Sequence, residues 1–147
     1  TVLEYLGLSF NAITSLPTEL GTLTALAGLY LTDNFITSLP TEVGALTGLT
    51  YLDLRSNAIT SLPSEIGALT GLTFLDLQKN AITSVPTEIG ALTSLTALLL
   101  NDNQLTGVPS EFRSQFAPLD APDGPGCDLS DNPVDGDLGA FSCANVG

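Results

Sequence analysis

The sequence predicts an α/β solenoid, a chain that winds through a stack of short parallel strands and short helical turns. Three observations predict it. Asn recurs at Asn11, Asn34, Asn57, Asn80 and Asn103 with a constant spacing of 23 residues, and everything around it recurs too, which marks a repeat architecture in which each unit buries its apolar face against the next. The stretch before each Asn alternates with the period of a strand. The stretch after it carries Pro and then Ser or Thr ahead of a Glu, the chemistry of a helical start.

Written from its first Leu, one unit runs Leu49-Thr50-Tyr51-Leu52-Asp53-Leu54-Arg55-Ser56-Asn57-Ala58-Ile59-Thr60-Ser61-Leu62-Pro63-Ser64-Glu65-Ile66-Gly67-Ala68-Leu69-Thr70-Gly71, and the units at 3–25, 26–48, 72–94 and 95–117 follow the same pattern. Leu52 and Leu54 fall on one side of an extended segment and Tyr51, Asp53 and Arg55 on the other, so each unit contributes one short strand. Ser64 is placed to cap orphan amides, and Glu65 suits the positive end of a helical or 3₁₀ turn that returns the chain to the next strand. A crossover of about a dozen residues makes successive strands parallel. The strand-end Asn has both a carbonyl and an amide, so a stacked ladder of them can satisfy turn groups that face the interior.

These residues resemble the leucine-rich repeat family, whose strand motif Leu-x-x-Leu-x-Leu-x-x-Asn matches five times over about residues 3–117. The half reading Leu62-Pro63-Ser64-Glu65-Ile66-Gly67-Ala68-Leu69-Thr70 is similar to the class of plant intracellular Ras-group leucine-rich repeat proteins and to related adhesion or receptor modules. The resemblance implies a right-handed, curved solenoid, with the parallel sheet on the concave side and the turns on the convex side.

The pattern changes after the fifth unit. Glu111-Phe112-Arg113-Ser114-Gln115-Phe116 replaces the usual turn and puts two aromatics on one helical face, where they can seal the last repeat. A turn-rich insertion over 117–126 precedes a degenerate sixth strand at 127–133, and the step from Asn103 to Asn132 is 29 residues rather than 23. The expected organisation is therefore five repeats over 1–117 and a C-terminal cap with a degenerate sixth repeat over 118–147. Nothing comparable precedes Leu3, so N-terminal sequence is expected to be missing here or replaced by a partner. Cys127 and Cys143 enclose 15 residues of the cap, and with no cation beside them to lower a thiol pKa they are expected to form a disulfide staple, which favours an extracellular or cell-surface setting. There is no Asn-x-Ser/Thr sequon in the chain.

Composition narrows the function classes. Lys and Arg number 3 against 16 Asp and Glu, a formal net charge of −13, which repels phosphate backbones and anionic membranes. The chain has no His and only 2 Cys, so Ser-His and Cys-His dyads and a four-thiolate zinc site are excluded. No apolar run approaches the roughly 18 residues of a membrane span. Neither an enzyme nor a cofactor is expected. The cap acids Asp120, Asp123, Asp128, Asp131, Asp135 and Asp137 do not fit a calcium loop, because a start at Asp128 puts Pro133 where Gly is needed and Gly139 where Glu belongs. The column Glu19, Glu42, Glu65, Glu88 and Glu111 is explained by the helical starts.

The outward strand positions vary where the rest is fixed. One column reads Tyr5, Gly28, Tyr51, Phe74, Ala97; the next Gly7, Tyr30, Asp53, Asp76, Leu99; the third Ser9, Thr32, Arg55, Gln78, Asn101; and Phe10, Asp33, Ser56, Lys79, Asp102 flank them. Aromatic and Arg side chains amid polar groups are what interface centres are made of. The expected site is thus a protein- or peptide-binding concave face with Tyr5, Tyr30, Tyr51, Phe74, Asp53, Asp76, Arg55, Gln78 and Lys79 as its contacts. A second regular feature is the row Thr14, Thr37, Thr60, Thr83 and Thr106, followed by Ser15, Ser38, Ser61, Ser84 and Gly107. It is either the repeat's ordinary consensus, with hydroxyls bonding neighbouring backbone, or a flat hydroxyl array resembling that of ice-binding solenoids. A structural spacer within a larger surface protein is the remaining alternative.

Overall fold

The structure is a computed structural model that describes residues 2–112 and 127–133. Its strands are β1 (Tyr5–Gly7), β2 (Gly28–Tyr30), β3 (Tyr51–Asp53), β4 (Phe74–Asp76), β5 (Ala97–Leu99) and β6 (Cys127–Asp128). Between the first five run four 3₁₀ helices, η1 (Thr18–Thr22), η2 (Thr41–Ala45), η3 (Ser64–Ala68) and η4 (Thr87–Ala91). The strands form one sheet in sequence order, every pair parallel. Register is fixed by the repeat: Tyr5 faces Gly28, Gly28 faces Tyr51, Tyr51 faces Phe74 and Phe74 faces Ala97. The α/β solenoid is therefore present, with 3₁₀ rather than α-helical turns. Leu98 faces Cys127 and Leu99 faces Asp128, so the sixth strand joins the same sheet.

Each unit turns its apolar residues inward. In the third, Leu49, Leu52, Leu54, Ile59, Ile66 and Leu69 have no exposed surface, and Leu62 is nearly as buried. Their counterparts above and below make one continuous column, the core. Phe112 is also fully buried, as expected of an aromatic that seals the last repeat, whereas Phe116 lies outside the described residues. In the first unit Leu6, Leu8, Ile13 and Leu16 are only half-buried, because no further unit covers that end of the described structure.

The Asn ladder ties the units together. Asn57 Nδ2 donates to Leu54 O in its own unit and to Leu31 O in the preceding one, at 3.0 and 2.9 Å, while its Oδ1 accepts from Ile36 N at 3.0 Å. Asn34, Asn80, Asn103 and Asn132 repeat this pattern. Just before each Asn sits a residue in the left-handed region: Phe10, Asp33, Ser56, Lys79, Asp102 and Asp131, with φ between 53° and 57°. For side chains such as Phe and Lys this conformation costs roughly 1–2 kcal/mol. It is held by its own amide and the next: Ser56 N donates to Gln78 O and Asn57 N to Lys79 O, as their equivalents do in other units.

The 3₁₀ turns depart from expectation in one respect. Their N-cap positions are Pro17, Pro40, Pro63 and Pro86, and no side chain caps them. The expected Ser or Thr sits one residue inside the turn, where its hydroxyl donates to the carboxylate of the next Glu, as from Ser64 Oγ to Glu65 Oε2 at 3.2 Å. Pro has no side-chain acceptor with which to cap, and the turn is closed instead by its backbone carbonyl, which accepts from Ile66 N at 3.1 Å in the third unit. The turns stack unusually tightly: a Cβ on Gly67 would lie 2.7 Å from Glu88 O and 2.8 Å from Glu88 Cβ, and Gly21 and Gly44 meet the next unit's Glu at the same distances. Only a residue without a side chain lets successive turns approach this closely. Gly67→Ala should accordingly lower stability by about 1–3 kcal/mol, the range for overpacking, despite Ala's better helix propensity. Urea unfolding checks this, and an unchanged or higher midpoint would mean that the turns can spread at no cost.

Candidate binding face

The strand face opposite the core carries the varied residues. Because each outward side chain stands beside its register partner about 4.8 Å away, aromatics in one column are forced together. Tyr51 and Phe74 stack face to face, with ring centroids 4.4 Å apart and planes 4° from parallel. Tyr30, from the neighbouring column, tilts against Tyr51 at 5.0 Å. Gly28 extends the row: a Cβ there would lie 2.8 Å from Tyr5 Cδ1 and 3.1 Å from Tyr30 Cε2. Its missing side chain thus leaves space that the Tyr5 and Tyr30 rings use. The sequence presents Gly28 only as a gap between Tyr5 and Tyr51, and that gap is the signal from which this packing could have been read.

The second column brings Asp53 and Asp76 face to face in register. Each carboxylate closes a short turn with its own strand: Arg55 N donates to Asp53 Oδ1 at 3.1 Å and Gln78 N to Asp76 Oδ1 at 2.9 Å. Asp128 repeats the device with Ser130 N on β6. Asp76 was expected to be a surface contact, yet only 6% of it is exposed. It is hemmed in by a strand on each side, with Phe74 two residues before it on the same face and Leu99 as its register partner. Burial pushes its carboxyl up from 3.8 to about 6; the Gln78 amide works against that shift, the Asp53 charge adds to it, and Arg55 opposes it weakly. Burial also raises the Tyr51 hydroxyl, with smaller contributions from Asp53, Tyr30 and Asp76.

The remaining expected contacts are less closely drawn in. Tyr5 is exposed, Tyr30, Tyr51, Phe74, Asp53 and Gln78 are half-buried, and Arg55 and Lys79 are exposed. Although Arg55 and Lys79 adjoin the acids in sequence, neither makes an ion pair with Asp53 or Asp76. Lys79 occupies the left-handed turn position rather than the sheet. Asn101, in the third column, has a buried Oδ1 without a hydrogen-bond partner.

The lateral rows lie apart from this face. Thr14, Thr37, Thr60, Thr83 and Thr106 are all exposed. Their backbones form a second ladder, with Thr60 N to Thr37 O and Thr83 N to Thr60 O at 3.3 Å and a parallel bridge between Ser61 and Ser84. The expectation that their hydroxyls bond neighbouring backbone does not hold, since those hydroxyls make no hydrogen bond with a described residue. Thr50, Thr73 and Thr96 perform that service instead, each donating to a carbonyl of the preceding unit at 2.9–3.0 Å. Cys127 is buried at the start of β6, and Cys143 lies outside the described residues. No group of three or more acids, Cys or His among the described residues is placed to hold a metal ion, and no described helix is long and apolar enough to cross a membrane.

A stack of short parallel strands with an Asn ladder and a varied outer face defines a repeat protein of the solenoid class. A family model described as a leucine-rich repeat region matches residues 41–114, half of the chain, and a second leucine-rich repeat model matches residues 1–59. The chain belongs to the leucine-rich repeat family. Among solved structures it is similar to an LRR protein of Leptospira interrogans, with 30% sequence identity and a TM-score of 0.56 over 88% of this chain and 43% of that one. It therefore spans less than half the length of that protein. No curated protein matches it.

The Asp76 carboxyl makes a measurable stability statement. Its folded pKa of about 6 lies above its ordinary 3.8, so between those values the folded chain holds a proton that the unfolded chain has released, and this group's contribution to stability falls as pH rises. Above about pH 6 the penalty is complete. Asp76→Asn, which keeps an acceptor for Gln78 N, should raise stability by about 1 kcal/mol near pH 7.5, after allowance for solvent screening, and by nothing near pH 4. Thermal melts of both proteins across that range check the sign. A variant less stable at neutral pH would show the charge to be well compensated.

Proposed function

We propose that this chain is a binding module that takes a protein or peptide partner on a concave strand face, and that it is not an enzyme. The observation that carries the reading is the Tyr30–Tyr51–Phe74 row, stacked at 5.0 and 4.4 Å on positions that the core does not use. Aromatic side chains held rigid by one another present large contact area at little entropic cost, the property of interface anchors. Membership of the leucine-rich repeat family supports the reading, since such domains are commonly protein-interaction modules. So does the contrast between faces: the strand columns differ from unit to unit, as an irregular partner requires, and the lateral hydroxyl rows barely differ. The chain has no His, so it forms no Ser-His or Cys-His dyad. We place the module outside the cell or at its surface, with Cys127 joined to Cys143; unfolded, unreduced protein should then titrate with no free thiol.

The test is selection of peptides from a random displayed library on the intact chain. For the peptides obtained, Tyr30→Ala, Tyr51→Ala and Phe74→Ala should each weaken binding, by about 2 kcal/mol or more at an anchor. Their stability cost should stay near the roughly 0.5–1.5 kcal/mol of an aromatic pair plus the partial burial lost. Thr37→Tyr, Thr60→Tyr and Thr83→Tyr should leave binding intact. Loss of binding in the Thr variants with retention in the aromatic ones would move the site to the lateral face.

A further inference from the structure

We propose that Asp53 and Asp76, together with Tyr51 and Phe74, form a subsite for an arginine side chain of the partner. The inference rests on the reading of the strand face as the binding face and names the chemistry that face would recognise.

Asp53 and Asp76 are register partners on adjacent strands, and such strands run about 4.8 Å apart. One oxygen of each is committed to its own turn. The other oxygen of Asp76 makes no hydrogen bond and opens to the outer face, on a side chain otherwise largely enclosed, and among the described residues no ion pair reaches either acid. A carboxylate so enclosed, beside a second negative charge, is costly unless it is paired. The need is for a positive group with several donors, delivered from outside.

The surroundings select among such groups. A calcium ion takes six to eight oxygens, and here two remain uncommitted. An ammonium would satisfy the charge but has no flat surface. A guanidinium is planar, carries donors in a fork that can span two carboxylates, and stacks on aromatic faces. Rings stand on the same face two residues before the acids: Tyr51 on β3 and Phe74 on β4. Tyr51 covers one face of Phe74, whereas the register partner on its other side is Ala97, a methyl group. That leaves a ring surface beside Asp76 against which an arginine can lie. The chain's own Arg55 is exposed one column away and makes no ion pair with either acid.

The charged and titratable groups around Asp76 are Asp53, Arg55 and the Tyr51 hydroxyl. The Asp76 carboxyl, pushed up to about 6, loses its charge as pH falls through that value, which would weaken arginine binding.

The experiment uses the peptides selected above on the intact chain, each resynthesised with arginine replaced by citrulline, which keeps the shape and removes the charge. We expect selected peptides to share an arginine. Citrulline, Asp53→Asn and Asp76→Asn should each weaken binding about thirtyfold or more, as truncation of a buried charge pair does. The paired change Glu42→Gln and Glu65→Gln, on the turn side, should alter it little, which separates a site from general attraction to an acidic protein. Affinity of the arginine peptides should fall between about pH 7.5 and pH 5 in the parent and stay level in Asp76→Asn. Peptides that need Tyr51 and Phe74 yet tolerate citrulline would overturn the arginine subsite and leave the binding face standing. Peptides indifferent to Tyr51 and Phe74 would overturn both.

Discussion

The asparagine side chain at the end of each strand is the interaction on which the rest of this solenoid depends. At that point the chain must turn inward across the core, which strands its amides and carbonyls away from water. An unsatisfied buried group of this kind costs about 1–3 kcal/mol, and each Asn answers several at once. Asn80 donates to Leu54 O and Leu77 O and accepts from Ile59 N. Two of these three partners, Leu54 and Ile59, belong to the preceding unit, so the residue that completes one turn also fixes the distance and register to its neighbour. The left-handed residue before it, the parallel strand pairing and the column of buried Leu all inherit that geometry. When six residues are inserted before the sixth unit, Asn132 still bonds Leu100 O and Leu105 N at 2.9 Å. Position in the ladder, not distance along the chain, is what the fold conserves from unit to unit.

With the interior satisfied by Leu and Asn, the outward strand positions are released from structural duty. That release is what makes the first and second columns informative. At positions that the core does not use, Gly28, Tyr51 and Phe74 follow one another, and so do Tyr30, Asp53 and Asp76. The side chains nevertheless interact, because parallel strands hold them within reach of one another. A ring stacked on a ring is stiff before any partner arrives, which lowers the entropic cost of binding.

Much of this was legible in the sequence, and the failures have physical causes. The Leu and Asn periodicity reports directly on burial and on interior hydrogen bonding, so strands, turns, core and ladder could all be assigned from it. The role of Gly21, Gly44 and Gly67 could not, because it depends on how closely the next unit's Glu approaches, a distance that no single repeat encodes. Ser64 does not cap because it lies one residue inside the turn, where its hydroxyl donates to Glu65, while Pro63 holds the cap position. The Thr60 hydroxyl was given backbone work that Thr50 and Thr73 perform from a different place in the unit. On the binding face, alternation showed that Asp76 points away from the core, but not that Phe74, Leu99 and Asp53 would enclose it. Burial on an outer face comes from neighbours in space, and those are set by register.

Asp76 is also where the fold's two demands conflict. Nothing in the core or the ladder needs a carboxylate there: Gly7, Tyr30 and Leu99 occupy the same position in other units with the same strand geometry. The turn hydrogen bond to Gln78 N could be made equally by a neutral Asn. Burial and Asp53 oppose a charge there, and the Gln78 amide offsets them only in part. Sites built to receive a ligand commonly show this imbalance, since groups arranged to complement an absent charge are mismatched until it arrives. The electrostatic penalty falls on the free protein, and on the proposed reading a cation in the site would relieve it, converting a defect of the isolated solenoid into selectivity for a positively charged partner.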